Sequence, residues 1–282
     1  MEHYDILIIG GGAAGISAAK AAAGAKILLV DRKPALGGIL LQCAHRGFGK
    51  NKNGTEFAAE LITDFPKTVT LALNTTVLSV SEEKTALLSG REFGRREVGF
   101  SQLILATGCR EIPIGALPIG GTRPKGIYTA GQMQELMNLR GHIPEGPAVI
   151  LGSGDLGLIM AKQLAEIGLA VTVVEKKDTC GGMAKNQRCL DEYPIRLICA
   201  DTVAEIHGEK TLCGCTTEKG VYLPCNMLLI AAGLRPERTL LARLGNFDWL
   251  HICGNCNRVH PMVEAVIREG KQAGIAAMKH MR

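Results

Sequence analysis

The sequence contains no apolar run long enough to cross a membrane. A transmembrane helix needs about twenty consecutive apolar residues. Here glycines and charged residues interrupt every apolar stretch sooner, although hydrophobic residues make up 46% of the chain. The opening MEHYDILIIG has an acidic second residue and an apolar run of only a few positions, unlike a secretory signal peptide. These absences predict a cytoplasmic protein without a transmembrane segment.

Basic clusters and aromatic residues are also scarce. Aromatic residues make up 4% of the chain, and the 32 Lys and Arg residues are scattered, for a net charge of +5. Because nucleic-acid-binding surfaces concentrate basic residues on one face, we expect no nucleic-acid partner. The mild positive balance is compatible with anionic cofactors.

Ten cysteines are present, but they lie in a chain of 282 residues that shows no signal peptide. Disulfide frameworks belong to small secreted domains, so these cysteines are expected to be free thiols. A chain of this length, with 35 glycines, can form one large domain or two ordinary ones with a buried core. The composition is typical of a compact α/β protein.

What the sequence does contain is a pattern that occurs twice. In the first copy the apolar strand YDILII leads into GGGAAG at 10–15, then a helix and a second strand that ends at Asp31. In the second copy the strand AVIL leads into GSGDLG at 152–157, then a helix and a strand that ends at Glu175. A GG pair follows each acidic residue at the same distance, and LILATG in the first half resembles LLIAAG in the second. Self-similarity of this kind predicts a duplicated unit.

Each copy has the features of a dinucleotide-binding βαβ unit. The first glycine permits a tight turn, the second lets the backbone approach a pyrophosphate, and the third lets helix and strand pack closely. The pyrophosphate is stabilised by unpaired amides at the positive end of the helix dipole. The carboxylate that ends the second strand accepts hydrogen bonds from an adenosine ribose. A lone GxGxxG could be a structural turn, but here both copies have the strand, the helix and the acidic residue at the expected positions.

The remaining segments indicate how the two units are connected. Short alternating strands after the first unit predict a small antiparallel meander that returns to LILATG, and these strands are 69–73, 76–80, 84–88 and 96–100. The Pro- and Gly-rich segment IPIGALPIGGTRPKG then marks a domain boundary. After the second unit the chain re-enters the first domain with HICGNCNRVHPM and forms an amphipathic helix from about Met262.

The predicted fold class is therefore α/β. We expect two Rossmann-like three-layer dinucleotide-binding domains, the second inserted in the first, each with a small β-meander. The predicted boundaries are 1–112 together with 240–282 for the first domain, and 113–239 for the second.

These motifs resemble those of flavoproteins with two dinucleotide-binding domains. GGGAAG with Asp31, ATG at 106–108, GSGDLG, AAG at 231–233 and HICGN are together similar to the glutathione reductase and thioredoxin reductase superfamily, over essentially the whole chain. GGILLQCAHRGFG, LATGCRE, GIYTAG, GSGDLGLIMA and CGN more closely resemble short NAD(P)/FAD-dependent oxidoreductases of anaerobic bacteria. Those are often encoded beside a subunit like anaerobic glycerol-3-phosphate dehydrogenase. The resemblance implies FAD in the discontinuous first domain and NADH or NADPH in the inserted one.

The motifs and the resemblance together name the candidate cofactor-binding residues. For FAD these are Gly10, Gly12, Ala13, Ala14, Gly15, Asp31, Arg32, Gly38, Ile39, Gln42, Val77, Ala106, Thr107, Gly108, Gly254, Asn255 and Met262. For the nicotinamide nucleotide they are Gly152, Gly154, Asp155, Leu156, Gly157, Glu175 and Gly233. A carboxylate hydrogen-bonds a ribose 2′-hydroxyl and repels a 2′-phosphate, so Glu175 favours NADH, although Lys176 and Lys177 follow it directly.

The sequence departs from the superfamily in two places. It ends with the helix that follows CGN, so we expect no C-terminal dimerisation domain. The usual late Gly-Asp pair appears as Gly254-Asn255. Asparagine can still hydrogen-bond a hydroxyl through its amide or its carbonyl, so flavin binding is expected to survive.

Cys43 is the single candidate catalytic residue. Reductases of the glutathione type have C-x4-C after this GG, and those of the thioredoxin type have C-x-x-C before the second glycine loop, but neither pattern is present here. Cys43 could cycle through a sulfenic acid, with His45 helping to hold a thiolate. The preferred interpretation is a small buried residue beside the FAD site.

The other cysteines carry weaker hypotheses. Cys253 and Cys256 form a C-x-x-C within the flavin-binding turn, which could be a redox pair or, with Cys213 and Cys215, a four-thiolate zinc site. That grouping bridges two predicted domains, so we expect no metal. The remaining thiols are expected to be packing residues, and they are Cys109, Cys180, Cys189, Cys199 and Cys225.

The predicted function is an FAD-dependent oxidoreductase that accepts hydride from NAD(P)H, with NADH favoured, and passes electrons to an acceptor that no motif identifies. Two alternatives stay open. The chain could be an electron-transfer subunit of a dehydrogenase complex, for instance beside a glycerol-3-phosphate dehydrogenase-like subunit, or a peroxidase-like enzyme that uses Cys43. The acceptor is accordingly a small molecule or a protein, and the oligomeric state is open.

Overall fold

A computed structural model describes residues 1–242 and 244–281. Its strands are β1 (Glu2–Ile9), β2 (Ile27–Val30), β3 (Arg46–Phe48), β4 (Lys52–Asn53), β5 (Thr70–Ala72), β6 (Thr75–Val80), β7 (Thr85–Gly90), β8 (Gly94–Leu105), β9 (Cys109–Glu111), β10 (Gly120–Gly121), β11 (Ile127–Thr129), β12 (Ala148–Leu151), β13 (Val171–Val174), β14 (Ile195–Ile198), β15 (Val203–His207), β16 (Gly214–Thr217), β17 (Tyr222–Pro224), β18 (Met227–Ile230), β19 (Leu234–Pro236) and β20 (Leu250–Ile252). Its helices are α1 (Ala13–Ala21), α2 (Gly54–Ile62), α3 (Ala130–Arg140), α4 (Asp155–Glu166), α5 (Ala184–Gln187), α6 (Cys189–Glu192) and α7 (Val263–Lys279).

The chain divides into two compact units. Unit 1 comprises Met1–Arg110 and Arg235–Arg282, and unit 2 comprises Glu111–Leu234. Unit 1 is therefore built from both ends of the sequence and unit 2 from one continuous stretch. The assignment of FAD to unit 1 and of the nicotinamide nucleotide to unit 2 stays a prediction.

The main sheet of unit 1 has the order β5-β2-β1-β8-β7-β6, and β20 also pairs with β8. β1 pairs in parallel with β2 and β8, β2 pairs in parallel with β5, and β20 pairs in parallel with β8. The central strands are continuous apolar runs because both of their faces are covered. All residues of β2, for example, are buried.

The predicted meander of the first half is wrong at its first strand, and its last strand is longer than expected. β5, from the predicted strand 69–73, lies beside β2 in the parallel part of the sheet. The strands predicted at 96–100 and in LILATG form one continuous strand, β8, which pairs antiparallel with β7 and, further along, parallel with β1. The meander is therefore β6-β7-β8. Short apolar alternation is the same in both kinds of pairing, so the pattern could not separate them.

The helices α1 and α7 pack on one face of this sheet. On the other face the residues of the β6-β7-β8 meander form a second core with Trp249. Gly270 and Gly274 of α7 lie against backbone oxygens of Ala14 and Ala18 in α1, where a Cβ at either glycine would overlap the neighbouring helix. α7 is the helix predicted from about Met262, and its residues Ala273 and Ala277 pack in the same core as the apolar residues of α1. On the opposite face Trp249 stacks on a neighbouring phenylalanine, with ring centroids 4.8 Å apart, within the meander-side core.

Unit 2 repeats this plan. Its main sheet is parallel throughout, in the order β11-β18-β12-β13-β14. A smaller sheet has the order β10-β15-β16-β17, in which β15, β16 and β17 form the expected antiparallel meander. α3 and α4 cover one face of the main sheet, and the smaller sheet covers the other. Within the described residues no helix combines the length and the apolarity that crossing a membrane requires.

Candidate functional site

The first glycine loop connects β1 to α1. Gly10 has a φ of +110°, and a Cβ there would overlap the carbonyl oxygen of Ala106. A Cβ at Gly15 would overlap the carbonyl oxygen of Gly10. Gly12 is different, because its φ is ordinary and the nearest atom to a Cβ there is 3.9 Å away, in Gly38. The fold therefore requires the outer two glycines, whereas the middle one keeps the backbone open to solvent.

Asp31 at the end of β2 fixes this loop. Its carboxylate accepts hydrogen bonds from the backbone amides of Gly11, at 2.6 Å, and Lys33, at 2.7 Å. The acidic residue is thus positioned against the glycine loop by the backbone itself. This arrangement leaves the carboxylate beside the loop where an adenosine ribose is expected.

The GG pair after Asp31 packs on the same loop. The amide of Gly37 donates to the carbonyl of Gly11 at 2.8 Å, and a Cβ at Gly38 would lie 2.9 Å from the Cα of Gly12. The next residue, Ile39, is 62% exposed although it is large and apolar. The two glycine segments therefore approach each other backbone to backbone, beside an exposed apolar side chain.

The late HICGN segment joins this group from the other end of the sequence. Gly254, with a φ of +69°, approaches Ala14 of α1 so closely that a Cβ there would lie 2.8 Å from the Ala14 Cβ. Its amide donates to Glu269 at 2.8 Å, and the amide of His260 donates to the Asn255 Oδ1 at 3.0 Å. Glu269 also pairs with the imidazole of His260 at 2.8 Å. The side chain that stands in place of the usual aspartate therefore braces its own turn.

The remaining candidates of unit 1 differ in how far they are buried. Those that are buried are Ala13, Ala14, Gln42, Val77 and Ala106. Arg32 and Met262 are exposed. Thr107, beside Gly108, donates its hydroxyl to the backbone of Glu237 at 2.6 Å.

The second glycine loop, between β12 and α4, has the same geometry. Gly152 has a φ of +106°, and a Cβ there would lie 2.5 Å from the carbonyl oxygen of Ala231. A Cβ at Gly157 would overlap the carbonyl oxygen of Gly152. Around Gly154, by contrast, no atom lies within 4 Å of a Cβ. Both loops therefore have a middle glycine that the fold itself does not need.

Glu175 holds the second loop more tightly than Asp31 holds the first. One carboxylate oxygen accepts hydrogen bonds from the amide and the hydroxyl of Ser153, at 2.8 and 2.6 Å, and the other accepts from the amide of Lys177 at 3.0 Å. Glu175 is only 9% exposed. Burial alone would raise its pKa, but the hydrogen bonds from Ser153 and Lys177 outweigh burial and lower the pKa below its ordinary value. The carboxylate is therefore held ionised at neutral pH.

The second GG pair continues the repeat. The amide of Gly181 donates to the Ser153 hydroxyl at 2.7 Å. The amide of Met183 and the side-chain amide of Asn186 donate to Asp155 at 2.7 and 2.6 Å. The segment after Glu175 is thus fastened to the glycine loop by two loop side chains. The other candidates of unit 2 are Leu156, which packs on the helix-side core, and Gly233, with a φ of +118° after β18.

Sequence reasoning missed three residues that shape these sites. Ser153 lies inside the second motif at a variable position, and its role depends on the hydroxyl reaching Glu175. His260 and Glu269 brace the HICGN turn, but only the packing of α7 brings Glu269 to it. The motif spacing could have suggested Ser153, whereas no local pattern identifies Glu269.

The thiols near these sites are buried. Cys43 is 8% exposed, its S–H donates to the carbonyl of Ile39 at 3.3 Å, and burial raises its pKa to about 12. Cys253 and Cys256 are fully buried and both donate to the carbonyl of Leu105. Burial, followed by the influence of Cys256, also raises the pKa of Cys253. Reactive thiols are thiolates in accessible settings, so these surroundings favour packing roles.

The zinc hypothesis gains no support. Among residues 1–242 and 244–281, no group of three or more His, Cys, Asp or Glu side chains is arranged to hold a metal ion. Cys213 and Cys215 lie in unit 2, whereas Cys253 and Cys256 lie in unit 1. Cys215 instead hydrogen-bonds to Cys225 within the small sheet of unit 2.

The residues present fit two dinucleotides. Each unit has a glycine loop at a helix N-terminus, an open middle glycine, a loop-bound carboxylate and a GG segment against the loop. Gly12 and Gly154 leave room that a side chain would fill, which is the space a pyrophosphate needs to approach backbone amides. Ile39, which follows Gly38, additionally exposes apolar surface beside the first loop.

Several known proteins are similar to this chain in sequence or in fold. A family model described as pyridine nucleotide-disulphide oxidoreductase matches residues 4–247. An opine oxidase subunit from Agrobacterium tumefaciens (strain Ach5) is 31% identical over 188 residues, which cover 60% of this chain and 36% of that protein. Bilirubin reductase from Mediterraneibacter gnavus (strain CC55_001C) is 24% identical over 281 residues, 95% of this chain and 40% of that protein. The chain thus spans less than half the length of these curated relatives.

Among solved structures, thioredoxin reductase from T. acidophilum superposes with a TM-score of 0.81 at 19% identity, covering 100% of this chain and 99% of that one. This likeness confirms the predicted fold class, with two Rossmann-like domains. The match of the family model to most of the sequence confirms the resemblance that the motifs indicated. The chain belongs to the pyridine nucleotide-disulphide oxidoreductase family.

Proposed function

We propose that this chain oxidises NADH and delivers the electrons, through FAD held by unit 1, to an acceptor other than its own buried thiols. Hydride transfer between nicotinamide and flavin is the chemistry that these cofactors supply when bound. One observation supports the proposal most directly. Each unit has a glycine loop, at 10–15 and at 152–157, whose outer glycines are required by the fold and whose middle glycine has free space around it.

In unit 1, we assign the FAD pyrophosphate to the amides beside Gly12 and the adenosine ribose to Asp31. Gly38 and Gly254 bring two further backbone segments to the same place, since each touches the loop or its helix. Asn255 and its brace from His260 shape the turn where a ribityl hydroxyl is expected. These residues orient the cofactor and exclude water, and none of them has to move a proton for hydride transfer.

In unit 2, we assign the coenzyme pyrophosphate to the amides beside Gly154 and the adenosine ribose to Glu175. The ionised carboxylate can accept a further hydrogen bond from a 2′-hydroxyl, and it repels a 2′-phosphate. Ser153 supports this preference because its two hydrogen bonds hold the charge on Glu175 in place. The amide of Lys177 donates to the same carboxylate. The geometry therefore supports NADH over NADPH.

The surroundings of the thiols bear on how electrons leave. A buried Cys43 with a raised pKa is poorly suited to attack a peroxide or a disulfide. The peroxidase-like alternative therefore receives no support, although Cys43 remains the catalytic candidate that an experiment must test. The thiols of Cys253 and Cys256 are directed at a main-chain carbonyl and are fully buried. Direct transfer from the flavin to the acceptor is the simpler route.

A second candidate function is electron transfer within a multi-subunit enzyme. One curated relative, from opine oxidase, is by its name a subunit of a larger enzyme. In that role the acceptor would be a partner protein, for example a glycerol-3-phosphate dehydrogenase-like subunit, and turnover with free metabolites would be low.

The deciding experiment loads the purified chain with FAD and adds NADH without oxygen while the flavin absorbance is followed. We expect the flavin to bleach with one equivalent of NADH, and more slowly with NADPH. Steady-state NADH oxidation with an artificial dye, with hydrogen peroxide and with a co-purified partner protein then separates the routes. Dye turnover without peroxide turnover supports the proposal, and a large stimulation by a partner supports the subunit role. Failure to bind FAD, or peroxide turnover that Cys43→Ser abolishes, would overturn it.

A further inference from the structure

Glu269 lies beside the buried stripe of α7. That stripe consists of small or apolar residues at helical spacing, and they are Val266, Gly270, Ala273, Gly274 and Ala277. The side chain of Glu269 is only 19% exposed. Because an uncompensated buried charge is costly, a carboxylate in this setting needs hydrogen-bond donors around it.

One short turn supplies these donors. The Oε2 atom of Glu269 accepts from the amide of Gly254 at 2.8 Å and from the side-chain amide of Asn257 at 3.4 Å. Its Oε1 atom lies 2.8 Å from Nε2 of His260, whose side chain is 4% exposed. All three partners belong to residues 254–260, which continue the HICGN segment. The carboxylate therefore fastens this turn to α7 at both of its ends.

The turn and α7 also meet at one residue of the first glycine loop. A Cβ at Gly254 would lie 2.8 Å from the Cβ of Ala14, and a Cβ at Gly270 would overlap the carbonyl oxygen of Ala14. These glycines determine how closely the segments approach one another. Hydrogen bonds are directional, so those of Glu269, which precedes Gly270, determine how the turn is oriented against the loop.

We propose that Glu269 is a positioning residue for FAD, which holds Asn255 in place beside the first glycine loop. This inference rests on the proposed function, because it requires FAD in unit 1. The Oδ1 atom of Asn255 accepts from the amide of His260 at 3.0 Å, so its Nδ2 group is directed away from that amide and can donate to a cofactor. Glu269 acts through Gly254, which precedes Asn255, and through His260, which orients its side chain.

The expected gain is preorganisation. A turn that is already fixed binds its ligand without the cost of ordering, whereas a loose turn has to be ordered when the ligand binds. Loss of the carboxylate would leave the amide of Gly254 and the imidazole of His260 without their acceptor, and the turn would rearrange to satisfy them. We therefore expect weaker FAD binding even in a variant that is folded.

Two substitutions separate the reach of Glu269 from its charge. Glu269→Gln keeps the length: its oxygen can accept from Gly254, and its amide can donate to Nε2 of His260 when the imidazole proton is on Nδ1. Glu269→Asp keeps the charge but is one methylene shorter, so it cannot reach both partners. Glu269→Ala removes every contact of the carboxylate. The matched control is Lys271→Ala, at an exposed position of the same helix.

Each full-length protein is freed of FAD and titrated with FAD, and the dissociation constant is measured from flavin fluorescence. Urea unfolding of the FAD-free protein shows whether each variant is folded. Visible circular dichroism at saturating FAD reports the surroundings of the bound flavin. A residue with a merely structural role would lower the urea midpoint and leave both flavin signals of the folded protein unchanged.

We expect the dissociation constant for FAD to rise at least about tenfold in Glu269→Ala and Glu269→Asp, with an altered dichroism of the flavin. Glu269→Gln and Lys271→Ala should remain close to wild type. Wild-type affinity in folded Glu269→Asp, or a loss in Glu269→Gln as large as in Glu269→Asp, would overturn the inference. If Glu269→Ala does not fold, the contrast between the Gln and Asp variants decides. A wild-type chain that binds no FAD would overturn the proposed function as well.

Discussion

The middle glycine of the second loop allows binding and folding to be tested separately. Gly154 is the residue before α4, with φ and ψ of −63° and 172°, a conformation that alanine adopts freely. No atom lies within 4 Å of a Cβ there. Gly157, three residues on, would place its Cβ into the carbonyl oxygen of Gly152. Alanine at the two positions should therefore have opposite consequences.

The magnitudes follow from these environments. For Gly154→Ala, the lower entropy of the unfolded chain stabilises the fold by about 0.4–1 kcal/mol, and loss of a favourable N-cap residue costs a similar amount. The free energy of unfolding should then change by less than about 1 kcal/mol. Gly157→Ala forces overpacking against backbone, which costs about 1–3 kcal/mol or more. For NADH binding, a methyl group between the backbone and the pyrophosphate should cost Gly154→Ala at least about tenfold, or 1.4 kcal/mol.

The assay combines urea unfolding of each variant with anaerobic measurement of kcat/KM for flavin reduction by NADH. Gly154→Ala should unfold like wild type and reduce its flavin poorly at low NADH. Gly157→Ala should unfold at lower urea. If Gly154→Ala binds NADH as wild type does, the pyrophosphate does not lie on this loop and the assignment of the coenzyme to unit 2 is wrong.

Three further predictions concern single side chains. Glu175→Ala should lower kcat/KM for NADH more than for NADPH, because the ribose 2′-hydroxyl loses its hydrogen-bond acceptor and a 2′-phosphate is no longer repelled. A wild-type preference for NADPH that the substitution leaves unchanged would contradict this. Cys43→Ser should leave flavin reduction by NADH intact, and at about pH 8 iodoacetamide should modify Cys213 but spare Cys43, whose pKa is raised to about 12. Burial, and then the nearby His280, lower the pKa of His251, so the unfolded chain takes up a proton more readily than the folded one. The contribution of His251 to the free energy of unfolding is then fully present above the unfolded pKa of about 6.5, and it is lost as the pH falls below that value. Denaturant unfolding at several pH values should show a free energy of unfolding that falls less steeply with pH in His251→Gln than in wild type. Equal pH dependence in the two proteins would mean that His251 does not contribute.

The parts of this protein that could be predicted from sequence are those set by local geometry. The glycine loops and their acidic residues have fixed spacing because a strand, a tight turn and a helix N-terminus follow one another directly. The same logic identified Asp31 and Glu175, which contact the loops through backbone amides. The placement of β5 could not be predicted, because a short alternating strand can pair with β2 or with β6.

Other features depend on which distant residues meet. Glu269 contacts Gly254 only because α7 packs beside the HICGN turn. The pKa of Cys43 is raised by burial, which its spacing from the GG pair does not reveal. In each case tertiary packing decides the chemistry of the side chain.

Because unit 1 is built from two separate parts of the sequence, the two units cannot complete their folding in the order in which they begin during synthesis. Unit 2 is one uninterrupted stretch, so it can fold while the rest of the chain is still being synthesised. The face of α1 that Gly270 and Gly274 cover has no partner until α7 has been translated. Until then the nascent chain exposes an Ala-rich apolar surface, which chaperones or a neighbouring chain can occupy. The first glycine loop in the sequence is therefore the last to be completed, because Gly254 and α7 pack on it and on its helix only after they have been translated.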